Sequence, residues 1–150
     1  MAKKYLLKAS NVSVYVGSGT DLATATWTEL PEVYNMEKGS TDVETVDVTS
    51  FSSEGDFREE LNSFKSFTEG TIEFYELLGD TTQALVTAAL GALDPIAIRI
   101  EKSDGTKTKT IDALFNVTGE SEPLAPGDAA SLSYTIKRTG SPVVNVADNT

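Results

Sequence analysis

The feature that most constrains this chain is a period of two. Val12, Val14 and Val16 alternate with Ser13 and Tyr15, and Glu44, Val46 and Val48 alternate with Val43, Thr45 and Asp47. Ile72 and Phe74 stand between Thr71, Glu73 and Tyr75, and Ile96, Ile98 and Ile100 between Ala97, Arg99 and Glu101. Ile111 to Val117 and Leu132 to Ile136 repeat the pattern. Alternation of this kind puts one apolar face on each strand and predicts half-buried, mostly antiparallel sheet. Ser103-Asp104-Gly105-Thr106 separates two such runs and reads as a hairpin turn, Asp-Gly favouring positive φ.

One stretch departs from it. Thr81 to Leu90 is rich in Ala and Leu, with Val86, Leu90 and Leu93 at helical spacing. Asp80 is placed to cap it, Gln83 gives a capping-box-like start, and Gly91 with Asp94-Pro95 ends it. The expected fold is therefore mainly β, a small antiparallel sandwich or barrel with one helix at about residues 81–91. No internal repeat or linker divides the chain, so residues 1–150 are expected to form a single domain. That domain would carry a flexible N-terminal arm, a long polar loop near 49–61 bearing Phe51, Phe57 and Arg58, and a flexible tail after Gly140.

Composition narrows the function. The chain has no Cys and no His, which removes thiolate chemistry, the commonest general base and the commonest metal ligand. There is no phosphate-binding glycine loop, and Glu59-Glu60 are adjacent, so their side chains diverge. The reading is of a non-enzyme without cofactor or metal. With 12 Lys and Arg against 23 Asp and Glu, the net charge of −11 opposes binding to DNA or anionic membrane. No apolar run approaches the 18 or so residues of a membrane span. The polar strand faces, with Thr71, Glu73, Asp112, Ser133 and Thr135, are either ordinary solvated surface or the wall of a water-filled lumen formed when sheets join edge to edge.

The order of features resembles the major tail tube proteins of long-tailed bacteriophages. Val43-Glu44-Thr45-Val46-Asp47-Val48-Thr49-Ser50 is similar to the family's strand before a polar loop. Arg58 to Lys65 and the strand Gly70-Thr71-Ile72-Glu73-Phe74 follow, then the helix, the Asp-Gly hairpin and two paired strands at 108–118 and 130–138. The resemblance implies hexameric rings stacked into a tube in the virion tail, made in the host cytoplasm, through which double-stranded DNA passes without specific binding. It implies a tape measure protein and tail tip or terminator proteins as partners. Under it, Glu73, Asp112, Thr71, Ser133 and Thr135 would line the lumen, and Phe51, Phe57 and Arg58 would bridge subunits. Three readings stay beside it: a tail terminator or other virion ring protein, a soluble β-sandwich ligand-binding module using Trp27, Tyr15 and Tyr75, and, most remotely, a carboxylate glycosidase.

Overall fold

The computed structural model describes residues 12–50, 55 and 57–148. Its nine strands are β1 Val12–Gly17, β2 Trp27–Glu29, β3 Val33–Glu37, β4 Thr41–Asp47, β5 Glu60–Phe67, β6 Glu69–Tyr75, β7 Ile96–Ser103, β8 Lys107–Ser121 and β9 Ser131–Asp148, with the helix α1 at Thr81–Ala88. Seven strands form one sheet in the order β2-β1-β7-β8-β9-β6-β3, and β4 pairs with β5 in a separate two-stranded ribbon. All these pairings are antiparallel.

The seven-stranded sheet curls around one core. Val14, Val16, Ile96 and Ile98 from one side meet Ile72, Phe74, Leu132, Tyr134 and Ile136 from the other. The curl has a local cause in β9. Asp112 of β8 opposes Val143 and Leu114 opposes Thr139, so Gly140, Ser141 and Pro142 stand out of register. A bulge of this size bends and twists the strand, and Gly140 takes the positive φ of +76° that the bend requires. The sheet thus divides into two leaves. One holds β2, β1, β7, the start of β8 and the end of β9. The other holds the end of β8, the start of β9, β6 and β3.

The helix closes the core from the side. Asp80 accepts a hydrogen bond from the Gln83 amide at 2.9 Å, as the sequence predicts. The reciprocal half of the capping box does not form. The Gln83 side chain, buried, accepts from the Leu77 amide at 2.9 Å and donates to the Tyr75 carbonyl at 2.9 Å. Val86 enters the core, and Thr87 shares a 2.8 Å hydrogen bond with the Tyr134 hydroxyl. Leu85, Leu90 and Leu93 remain exposed, while Ala89 packs against the core beside Val86.

Two boundaries differ from the sequence reading. The segment after Gly140 is not a tail: up to Asp148 it is the second half of β9, zipped to β8 from Lys107 to Asp112. The long loop is shorter than 49–61, because β5 begins at Glu60 and Val48 donates to the Glu59 carbonyl at 2.9 Å. Phe51 and the N-terminal arm lie outside the described residues.

Candidate functional site

No side-chain cluster in the described residues has the composition of a metal centre, and the features that stand out are surfaces. The first is the outward face of the β3-β6-β9-β8 leaf. Register places Asn35, Glu73 and Ser133 in one cross-strand row with Ser121, and Glu37, Thr71 and Thr135 in the next with Gly119. Glu73 sits in the middle of its row. Its carboxylate accepts from Asn35 Nδ2 and Ser133 Oγ, both at 3.3 Å. Thr71 donates to Glu37 at 3.5 Å, and Thr118 to the Thr135 carbonyl at 3.4 Å. Thr71, Glu73, Ser133 and Thr135 therefore share one polar wall, with Lys137 and its register partners Glu69 and Asn116 at its edge.

Asp112 does not join them. It lies on the outward face of the other leaf, and since both leaves bury their inner faces in one core, the two outward faces point apart. It is also neutralised. Arg99, its register partner, grips it with two hydrogen bonds, Nε at 2.7 Å and Nη2 at 2.9 Å, and Asp112 is 4% exposed. This bidentate contact, more than the surrounding charge, holds the Arg99 guanidinium above its ordinary range. An ion pair half out of water is worth more than a surface pair, and breaking it leaves an unpaired charge. Asp112→Ala is therefore expected to cost about 2 kcal/mol of stability, measured as a lowered urea midpoint with an unchanged m-value.

Arg99 also covers Trp27, its guanidinium carbon 4.5 Å from the ring centroid. The indole lies over Gly17, where an added Cβ would come within 2.8 Å of it. Trp27 is thus a packing residue at the β2 edge. Tyr15 shares that leaf, whereas Tyr75 meets Tyr34 in a tilted ring contact, centroids 4.6 Å apart, on the other. The three aromatics of a carbohydrate platform are not brought together.

The second surface is the β4–β5 ribbon, which projects from the curled sheet. Where β3 leaves the sheet to become β4 the backbones nearly touch: a Cβ on Gly70 would meet the Glu37 carbonyl at 2.0 Å, and one on Gly39 the Thr68 carbonyl at 2.1 Å. Ser40 and Thr68 tie the two strands there, the Ser40 amide to Thr68 Oγ1 at 2.8 Å and the Thr68 amide to the Ser40 carbonyl at 2.9 Å. The crossing is clamped by Arg138, a residue that the sequence reading does not single out. It is buried, donates to the carbonyls of Lys38 and Gly39 at 3.1 Å each and to Thr41 Oγ1 at 3.2 Å, and lies 4.2 Å over the Phe67 ring.

Beyond the clamp the ribbon covers no other described element. Val46 pairs with Leu61, and Val48 shares their face, while Thr45, Asp47, Glu60 and Asn62 take the opposite one. Phe64 lies at the register shift of β5. Exposure is 51% at Val46, 40% at Val48, 61% at Leu61 and 79% at Phe64. Phe57 and Arg58 are exposed at the open end, Phe57 at 76%.

Known structures share this architecture. The chain matches the tail of an empty GTA particle, refined with helical C6 symmetry, with a TM-score of 0.66 at 17% identity, covering 93% of this chain and 99% of that one. The fold is that of tail tubes. The sheath/tube terminator of an extracellular contractile injection system, PVC, matches with a TM-score of 0.70 at 14% identity over 96% and 99%. The SPP1 tail tube matches with 0.62 at 14% identity, over 93% of this chain and 79% of that one. No protein-family model and no curated protein sequence matches the chain.

Proposed function

We propose that this chain is a non-enzymatic structural subunit of a phage-type tail tube, in which copies close into hexameric rings that stack within the virion tail. The observation that carries this reading is the β4–β5 ribbon. A two-stranded ribbon is marginal in water unless an apolar face is covered, and among the described residues nothing covers the face of Val46, Val48 and Leu61. A second copy supplies it. The open edges β2 and β3 of the curled sheet supply the ring contact, because edge pairing between copies removes unpaired main-chain groups.

In such a ring the wall of Thr71, Glu73, Ser133 and Thr135 faces the lumen. Carboxylates and short hydroxyls give DNA no phosphate anchor, and the charge repels the duplex within a Debye length of about 8 Å. Double-stranded DNA then passes without specific binding. Asp112 has no part in this wall. Phe57 and Arg58 at the ribbon's end contact the neighbouring copy. A tape measure protein fills the lumen before DNA, and tip and terminator proteins close the ends.

Cryo-electron microscopy of the purified protein over a concentration and salt series tests the proposal. The expected result is hollow tubes of stacked rings with six copies per ring and Glu73 facing the channel. Tubes with Glu73 outside would overturn the wall assignment, and a strictly monomeric protein the assembly itself. A tube terminator is the second reading, favoured by the likeness to the PVC terminator. It would give discrete rings that never lengthen.

A further inference from the structure

The charge of this chain is sorted along its strands. The sequence has no Lys or Arg from residue 66 to 98 or from 110 to 136. Cations gather instead at one end of the curled sheet. Lys38 follows β3, Arg138 lies on β9, and Lys102 and Lys109 are direct register partners on β7 and β8. Three of them bear on the fourth: burial lowers the Lys38 ammonium from its usual range, and Arg138, Lys102 and Lys109 push it further down. The ion pairs among the described residues join Arg99 to Asp112 and Lys107 to Asp148, so none relieves this cluster. Like charges directly opposite each other on neighbouring strands are destabilising, and no ion pair among the described residues offsets the pair Lys102–Lys109.

The other end is acidic. Glu76 follows β6, Glu120 lies near the end of β8 and Glu122 just beyond it. Glu120 is the register partner of Tyr134, whose hydroxyl burial pushes above its ordinary range, the charges of all three carboxylates adding to this. The two ends are set apart by the strands themselves. On β9, Ser131 opposes Tyr75 beside the acidic end, and Arg138 marks the basic end. The intervening residues span roughly 23 Å at about 3.3 Å per residue, and Glu120, which opposes Tyr134, stands roughly 13 Å along the strand from Arg138.

We infer that the cationic end, Lys38, Lys102 and Lys109 with Arg138 buried beside them, docks onto the acidic end, Glu76, Glu120 and Glu122, of a second copy of this chain. The inference rests on the tube reading above and names its axial contact. The argument is charge complementarity: the chain bears both halves of the contact on opposite ends, so each copy offers one half and accepts the other. Such a contact is heterologous. It cannot close on itself as a two-fold dimer does, and it propagates along the strand direction. It also gives the stack a direction, because basic-to-basic and acidic-to-acidic contacts repel. The ribbon holds neighbours by apolar burial, which salt does not weaken, whereas this end-to-end contact is screened.

The test uses the full chain, with stacked mass followed by sedimentation and ring formation by electron microscopy. Wild-type stacking is expected to weaken roughly tenfold between about 0.05 M and 0.5 M NaCl. Lys109→Glu turns the like-charged pair into an opposite-charged one, so the melting temperature should hold or rise while stacking falls roughly tenfold. A merely structural role for Lys109 would move both together. Glu120→Lys with Glu122→Lys should lose stacking more deeply, because both ends are then positive, and adding Lys109→Glu to that pair should recover part of the loss by lowering the repulsion. Tubes indifferent to salt and to both reversals would overturn this contact and leave the tube reading standing. Failure of the combined variant to recover while its rings still form would overturn it too. A wild type that forms neither rings nor tubes would overturn both. Retention of a short DNA duplex by the wild type, lost in Lys109→Glu, would assign the patch to phosphate and overturn the pairing between copies.

Discussion

Arg138→Met is expected to destabilise the protein by about 3 kcal/mol, lowering the melting temperature by roughly 6–12 °C. Two effects oppose each other at this site. A buried cation without a carboxylate partner carries a desolvation penalty, visible in the downward push that burial gives its ionisation, and it stands beside Lys38 and its cationic neighbours. An apolar residue of similar volume escapes both costs, and buried charges elsewhere have been replaced with profit to stability. The balance falls the other way here because of what Arg138 satisfies. Its guanidinium bonds the carbonyls of Lys38 and Gly39, at the crossing where Gly39 and Gly70 leave no room for a Cβ. Those carbonyls cannot turn toward water without parting the backbones, and an unsatisfied buried acceptor costs about 1–3 kcal/mol. Arg138→Lys keeps the charge but has no planar fork, so it should recover less than half of the loss. Chemical denaturation gives the energies. Hydrogen exchange locates the damage: amides of β4 and β5 should lose protection in Arg138→Met while those of β7 and β8 keep it. Uniform loss over the molecule would show that Arg138 is ordinary core and not the clamp of the ribbon.

The sequence shows the curled sheet well and the ribbon poorly, for physical reasons. Strands β1, β6, β7, β8 and β9 have one face in a core, so burial imposes a strict alternation that can be read directly, as in Ile96-Ala97-Ile98-Arg99-Ile100. Strand β5 has no core beneath it. Glu-Leu-Asn-Ser-Phe-Lys-Ser-Phe mixes polar residues on both faces across a register shift, so its first two residues fall in the predicted loop and the rest carry no strand signal. The end of β9 is disguised by Gly140-Ser141-Pro142, which look like a break and act as a bulge. That bulge also explains Asp112. Alternation correctly assigns it to an outward face, but only the fold separates the two leaves and turns that face away from Glu73. The position of Arg138 did carry a signal. It continues the parity of Leu132, Tyr134 and Ile136, all of which are buried, so a cation on the apolar side of β9 was in plain view and called for an explanation.

Val46→Ser with Leu61→Ser should abolish tube growth at concentrations where the wild type assembles, and leave the monomer nearly as stable as before. Both side chains are about half exposed in the single chain, and substitutions at such positions away from a cap or core generally stay within about 0.5 kcal/mol. Their unburied halves are what a neighbouring copy would cover. Full burial of a Val or Leu side chain contributes about 1.5–3 kcal/mol, so covering the remaining half of both amounts to roughly 2 kcal/mol per contact. That corresponds to a dissociation constant about thirtyfold weaker at each ribbon. Every subunit both extends a ribbon and receives one, so the loss recurs at each step of growth and falls hardest on long tubes. The measurement is the critical concentration for assembly, by sedimentation and negative-stain images, with monomer stability by urea unfolding as the control. Hydrogen exchange supplies the second readout. In the wild type, amides from Thr41 to Asp47 and Glu60 to Phe67 should gain protection when tubes form, because the ribbon exchanges water for a partner. Tubes that form at the wild-type concentration from the double variant, with ribbon amides no better protected than in the monomer, would show that the apolar face is not what joins the copies.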